Sequence, residues 1–349
     1  MKIAISARLQ EGPWGGGNQF AASLSAHLTR QGHEVRRALD RADLDLILLT
    51  EPRRLSASSA FNDADIWAYL AHVNPRVLVV HRINECDERK NTRWVNRRLA
   101  VANRCADHTV FISLWLRDLF AGHGYQLAEA SVILNGADRN IFHPSDGPTW
   151  DGRGKLKVVT HHWSDNWNKG FDVYTRFDAL LGRPEFVDRF AFSYIGRVPS
   201  GLTFRHASIE PPLSGRALGE ALSRHHVYLT ASLNEPAGMH HIEGALSGLP
   251  LLYRTSGALP EYCDGFGLSF DEATFERRLM EMYDRYPELH SKMVDYPNDA
   301  DRMCRAYEEL FRNLLARWAE CLGQRRWGSV EALKSRMIGF LYDNWYARG

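Results

Sequence analysis

At 349 residues, 44% hydrophobic and 24% charged, the chain exceeds one ordinary domain and suits two soluble α/β domains. A formal net charge of +1 supplies no electrostatic drive toward nucleic acid, and no apolar run approaches a transmembrane helix in length. Cys86, Cys105, Cys263, Cys304 and Cys321 are scattered without a Cys-x-x-Cys spacing, which argues against both zinc and a disulfide framework and for reduced thiols in a cytosolic protein. Residues 1–6 are too short for a signal-peptide core, so any membrane contact is expected to be peripheral.

In chain order, residues 2–7 read as a strand. The loop Glu11-Gly12-Pro13-Trp14-Gly15-Gly16-Gly17-Asn18 follows, then a helix with Phe20, Ala21, Leu24 and Leu28 on its apolar stripe, ending at Gly32. Such a loop either lets a ligand approach the backbone closely or is a mobile surface loop, and its spacing is not Gly-x-Gly-x-x-Gly. Strands are expected at 44–49, 77–80, 109–112 and 131–134, alternating with helices as in a doubly wound parallel sheet. His81 is expected at a strand's carboxyl end, where ligands bind, although a lone histidine is as often structural. Arg89, Lys90, Arg93, Arg97, Arg98 and Arg104, with Trp94 among them, form either a solvated helix face or a surface for anionic phospholipid or a phosphorylated acceptor. Asp87 and Glu88 dilute that patch.

Asn135-Gly136-Ala137-Asp138 and Phe142-His143-Pro144 lead into a polar, glycine-rich stretch. The division expected is a first domain 1–144, a hinge 145–154 and a second domain 155–327, with a C-terminal stretch 328–349 returning to the first. The last helix, 330–346, carries Leu333, Met337, Phe340 and Leu341 on one side. Within the second domain a strand at 156–160 precedes His161-His162-Trp163-Ser164-Asp165-Asn166-Trp167-Asn168-Lys169-Gly170. Another at 190–195 precedes Gly196-Arg197. The adjacent histidines raise the question of a metal, but neighbours along a strand point apart and no carboxylates recur at ligand spacing.

The densest signal starts with a strand at 226–230. A loop bearing Glu235 follows, then a helix with Met239, Ile242, Ala245, Leu246 and Leu249 at helical spacing, ended by Gly248 and Pro250. Glu235 is expected at a strand's carboxyl end and Glu243 one turn beyond Met239. The amides of Gly238 and Met239 suit an anion such as a diphosphate, and the carboxylates suit sugar hydroxyls. The plainer alternative is a solvated loop carboxylate and an exposed helix position.

This segment resembles the Glu-x7-Glu signature of retaining GT-B glycosyltransferases, particularly the family-4 group, with Glu235, Gly238, Met239 and Glu243 in register and Pro236 and Ala237 replacing the usual Gly and Phe. Gly32-His33-Glu34-Val35, the Asn-Gly-x-Asp and Phe-x-Pro exit, and Lys169-Gly170 resemble other motifs of that group. The resemblance implies an α/β, GT-B fold: two Rossmann-like doubly wound parallel-sheet domains facing a cleft. It implies a hexosyl- or N-acetylhexosaminyl-transferase that uses a nucleotide-diphosphate sugar (UDP favoured, GDP second) and needs no metal or cofactor. The acceptor implied is a glycan, a lipid-linked or a small molecule, and the setting the cytoplasm, with contact at the inner face of a membrane as an option.

For the site, the resemblance implies Glu235, His81 and Lys169 as catalytic. Donor binding falls to Gly16, Gly17, Ser164, Lys169, Arg197, Gly238, Met239 and Glu243, and acceptor binding to Gly15, Asn18 and His81. Glu243 would hold the ribose and Lys169 the diphosphate. The family's loop Arg is missing, with Trp163 about where it would stand, which leaves Arg197 as a substitute. Residues 207–213 resemble the segment that reads the base. Two rivals remain: a GT-B-fold nucleotide-sugar epimerase and a non-catalytic GT-B subunit. Asp43-x-Asp45 and Asp63-x-Asp65 could suggest the metal motif of the other glycosyltransferase fold, which the two-domain layout argues against.

Overall fold

The computed structural model describes residues 1–349 except Glu11, Pro13, Trp14, Gln126, 145–148, 326–328, Asp343 and 345–349. The start of the expected hinge, three residues of the glycine-rich loop and the far end of the expected last helix therefore lie outside the described residues.

The chain begins β1 (Lys2–Ile5), α1 (Gly16–Arg30), β2 (Glu34–Arg36), β3 (Leu46–Leu49), α2 (Asp63–His72), β4 (Leu78–Ile83), α3 (Asp87–Lys90), α4 (Val95–Ala102), β5 (His108–Phe111), α5 (Leu114–Gly122) and β6 (Ala130–Val132). It continues β7 (Leu156–His162), α6 (Phe171–Leu180), α7 (Pro184–Val187), β8 (Phe190–Gly196), β9 (Ser208–Glu210), α8 (Gly215–Leu222), β10 (Val227–Thr230), α9 (His240–Leu246), β11 (Leu251–Arg254), α10 (Leu259–Cys263), β12 (Gly267–Phe270) and α11 (Phe275–Ser291). Helices α12 (Ala300–Ala316), α13 (Trp318–Gly323) and α14 (Ser329–Leu341) follow.

Two compact units result. The first holds Met1–Gln10, Gly17–Leu134 and Asp301–Gly349, the second Glu11–Gly16 and Asn135–Ala300. In the first, the parallel sheet runs β2-β1-β3-β4-β5-β6. Its inner strands are unbroken apolar runs such as Leu46-Ile47-Leu48-Leu49 because helices cover both faces. Phe20, Leu24 and Leu28 of α1 pack on one face with Tyr307 and Phe311 of α12; Ile66, Trp67 and Leu70 of α2 pack on the other. β2 was not legible as a strand, being a three-residue edge with one apolar side chain, Val35.

Both Asp-x-Asp pairs are structural. Asp63 is buried against Arg98 (2.5 Å), and Asp65 closes a capping box with Asn62 at the start of α2. Asp43 pairs with Arg41 and Lys2, and Asp45 accepts from the Lys2 amide.

The second unit's parallel sheet runs β12-β11-β10-β7-β8-β9 around a core of Phe171, Tyr174, Phe177, Phe192 and Phe275. The strand order reverses between β7 and β10, so the topological switch point lies at their carboxyl ends.

The crossing between units comes earlier than the hinge expected at 145–154. Residues 135–144 belong with the second unit: Asn135 N donates to the Tyr262 hydroxyl, Phe142 is buried, and Ala137 bridges Asp299. Gly136 lies so close that a Cβ would stand 1.9 Å from the Asp299 carbonyl oxygen, which requires glycine there. The return also comes sooner than residue 328. Met303, Cys304, Tyr307, Phe311 and Leu314 give α12 an apolar face that completes the first unit's core.

Helix α14 packs on α2 and α4, but through the side opposite to its apolar stripe. Ser335 Oγ donates to Asp63 (2.7 Å), and a Cβ at Gly339 would stand 3.3 Å from the Arg98 guanidinium. Leu333, Met337, Phe340 and Leu341 face outward, 43–60% exposed.

Candidate functional site

The loops after β7 and β10 meet at the second unit's switch point. Gly170, with φ of 102°, lets them cross, since a Cβ there would stand 2.6 Å from the Ala231 carbonyl carbon. Leu233 N donates to Asn168 O (2.7 Å) and ties the loops together. A short 3-10 turn, Trp167–Lys169, capped by the Asn166 side chain, then aims Lys169 inward. Its Nζ donates to Glu235 Oε2 at 2.6 Å, and both residues are buried. The backbone of Glu235 is held from behind, where Ala258 N donates to its carbonyl (2.8 Å) and Gly257, φ 60°, presses against it. Glu235, 1% exposed, is therefore no solvated loop carboxylate.

Gly238 and Met239 lead into α9. A Cβ on Gly238 would lie 2.3 Å from His240 Nδ1 and 3.2 Å from the Glu235 carboxyl carbon, so only glycine fits between them. Met239 is buried, and Gly16, which belongs to this unit, stands against its side chain.

Glu243, in the first turn of α9, is 2% exposed, not an open helix position. Its Oε2 accepts from His161 Nε2 at 2.7 Å. With that proton on Nε2, Nδ1 accepts from the Tyr228 hydroxyl at 3.0 Å. The other oxygen, Oε1, is buried without a hydrogen-bond partner among the described residues. A polar atom in that state is costly unless something else completes it.

The neighbouring histidines do point apart: His162 Nε2 pairs with the Tyr174 hydroxyl (2.7 Å), while His161 turns to Glu243. His240 pairs with Thr230 Oγ1 (2.8 Å). Burial pushes the His241 imidazole down to about 3 and His240 well below its ordinary value, so both are neutral near pH 7. Among the described residues no group of three or more His, Cys, Asp or Glu is placed to hold a metal ion.

Where the missing loop Arg was expected, Trp163 carries the guanidinium of Arg197 on its ring, 4.0 Å from the centroid. Arg197 is exposed at the end of β8, so a cation is present at this rim, delivered from the adjacent strand. Ser164 is half-buried and accepts from Asn166 N (3.2 Å).

In the first unit, His81 is not at a strand's end. It lies inside β4, which runs on to Ile83, and is fully buried, with its Nδ1 accepting from the Asn103 side chain at 3.2 Å. Burial pushes it down to about 3, a core histidine by position and charge state. The residues that do leave β4 are Asn84 and Glu85, the latter buried beside Arg89 and Lys90. Asn18, expected to meet an acceptor, uses both side-chain amide atoms on the Gln10 backbone (2.8 and 2.9 Å), closing the glycine-rich loop onto α1. Gly15 is exposed, and Gly17 lies beside Asn84, 3.8 Å from where a Cβ would be.

Sequence reasoning weighed His161 only as a metal ligand and passed over Tyr228, the two residues that orient Glu243, and Arg254, which ends β11 and binds Asp172 (2.8 Å). It also passed over Asn135, whose Nδ2 donates to the Ala237 carbonyl in the Glu235 loop (3.1 Å). A usable signal was the apolar-polar run to His162, which lengthens β7 and sets His161 at the switch point.

No family model and no curated protein matches the chain. Solved structures do. Sucrose-phosphate synthase from Thermosynechococcus elongatus superimposes with a TM-score of 0.63 at 13% identity, covering 90% of this chain and 99% of that one. HepE from Anabaena in complex with UDP-glucose gives 0.64 at 14%, covering 90% and 100%. The catalytic domain of starch synthase IV from Arabidopsis thaliana, bound to ADP and acarbose, gives 0.66 at 13%, covering 90% and 99%. Such identities establish likeness of fold alone: with two six-stranded parallel sheets flanked by helices, the chain has the two-domain, Rossmann-like GT-B fold.

Proposed function

We propose that the chain is a retaining glycosyltransferase that moves a hexosyl or N-acetylhexosaminyl group from a nucleotide-diphosphate sugar to a glycan, lipid-linked or small-molecule acceptor in the cytoplasm. A UDP-sugar is the first choice of donor and a GDP-sugar the second. The observation that carries this reading is the buried Lys169–Glu235 pair at the switch point, beside a buried Glu243 with one oxygen unpartnered among the described residues. Glu243 Oε1 suits a ribose hydroxyl donor, while His161 fixes the other oxygen. Lys169 and Arg197 are cations for a leaving diphosphate, the work a metal would otherwise do. Glu235 suits the sugar, orienting its hydroxyls and favouring the positive character it gains as the diphosphate departs. Retention comes from the motif resemblance. The complexes of HepE with UDP-glucose and of starch synthase IV with ADP and acarbose support the nucleotide-sugar part.

The test is incubation with UDP-, GDP-, TDP- and ADP-sugars, following the melting temperature and the sugar released. A transferase is stabilised by its donor and slowly hydrolyses it, whereas an epimerase changes the sugar and a non-catalytic subunit binds without turnover. No stabilisation by any of the four classes refutes the proposal.

A further inference from the structure

Helix α14 is built inside out. Val330, Leu333, Met337, Phe340 and Leu341 are 64, 59, 57, 60 and 43% exposed. At about 100° per residue they fall within an arc about 100° wide, the width by which a helix ordinarily faces a core. The side turned to α2 and α4 instead carries Ser335 and Gly339, seated on Asp63 and Arg98. The outward apolar stripe is thus not left over from poor packing: the helix docks through Ser335 and Gly339, which leaves Val330, Leu333, Met337, Phe340 and Leu341 outside.

The two charged residues that border this stripe are both cations. Lys334 borders it on one edge and Arg336 on the other, and both are exposed. In sequence the helix is preceded by Arg325-Arg326-Trp327 and followed by Trp345-Tyr346-Ala347-Arg348. The stretch 325–349 holds five cations against two carboxylates in a chain of net charge +1. Beside it, Ile338 of α14 lines a recess of about 1140 Å³ whose wall also includes Arg97, Arg104 and Arg325. Asp107 and Glu129 lie on that wall too, and Asp107 binds Arg325.

We propose that α14 docks the protein on an anionic phospholipid bilayer, lying in the interface with its apolar stripe toward the acyl chains and its flanking cations among the phosphates. Charge decides the occupant. A second copy meeting the same face would bring Lys334 and Arg336 against themselves, whereas anionic headgroups complement them. No helix among the described residues is long and apolar enough to cross a membrane, so this contact is with the surface.

The test is flotation of the full chain with phosphatidylcholine vesicles, with and without phosphatidylglycerol. Binding is expected only to the anionic vesicles, weakening as salt is raised. Phe340→Ser and Met337→Ser, both at exposed positions and therefore compatible with folding, should each weaken it about tenfold or more. Lys334→Glu with Arg336→Glu should abolish the preference for the anionic lipid. No binding to anionic vesicles, or wild-type binding by the serine variants, overturns the proposal. A concentration-dependent dimer in sedimentation that Phe340→Ser dissolves, without vesicle binding, overturns it in favour of a second copy.

Discussion

Lys169→Met removes one half of a buried ion pair and keeps the length of the side chain. Its partner Glu235 is 1% exposed, at 2.6 Å, so the variant takes the cation away from a carboxylate that water barely reaches. Breaking such a pair from one side costs about 3–5 kcal/mol, against about 0–1 kcal/mol for an exposed pair. With a urea m-value of about 2–3 kcal/mol per molar, the midpoint should fall by roughly 1–2 M. Adding Glu235→Gln removes the buried charge that has lost its cation, so the double variant should regain most of the loss, a coupling of about 2 kcal/mol or more between residues in direct contact. The assay is urea unfolding followed by circular dichroism on wild type, both single variants and the double. Donor titration on the same four proteins should show weakened binding wherever Lys169 is missing. A Lys169→Met variant within 1 kcal/mol of wild type, or a double variant no more stable than the single, refutes the reasoning.

Glu235→Gln should lower turnover with donor affinity nearly kept, and Glu243→Gln or His161→Phe should raise the donor's apparent KM about tenfold with turnover nearly kept; equal losses in both constants would contradict the separate roles. Gly257→Ala places a Cβ 2.4 Å from Glu235 N at a φ of 60°, so it should destabilise by about 1–3 kcal/mol and weaken donor binding; an unchanged melting temperature counts against it. Stability should also fall in mild acid. Burial holds His81 and His241 near 3 and His240 well below the usual 6.5, so the unfolded chain takes up protons first. Their contribution is complete above pH 6.5 and is lost as pH falls toward 3, by up to about 1.4 kcal/mol per pH unit for each. Urea midpoints equal at pH 7.5 and 5 would rule this out.

The strand-helix alternation was enough to establish two parallel α/β units, because buried parallel strands are written locally as short apolar runs. The positions of Glu235 and Lys169 were legible for the same reason: each is a polar residue in the loop that follows such a run, at the carboxyl end of its strand. What the chain does not write locally is which partner each residue meets. His161 finds Glu243 82 positions away, and Lys169 finds Glu235 66 positions away, across two strands that become neighbours only where the order reverses. Depth is equally non-local. His81 looked like the end of a strand because Arg82 follows, yet Arg82 stays buried over the ring of Phe20 and carries β4 onward to Ile83. The apolar periodicity of α14 promised a packed face, but the surface that receives it presents Asp63 and Arg98, which seat Ser335 and Gly339. Periodicity tells which residues share a side of a helix; the chemistry of the opposing surface decides which side turns inward.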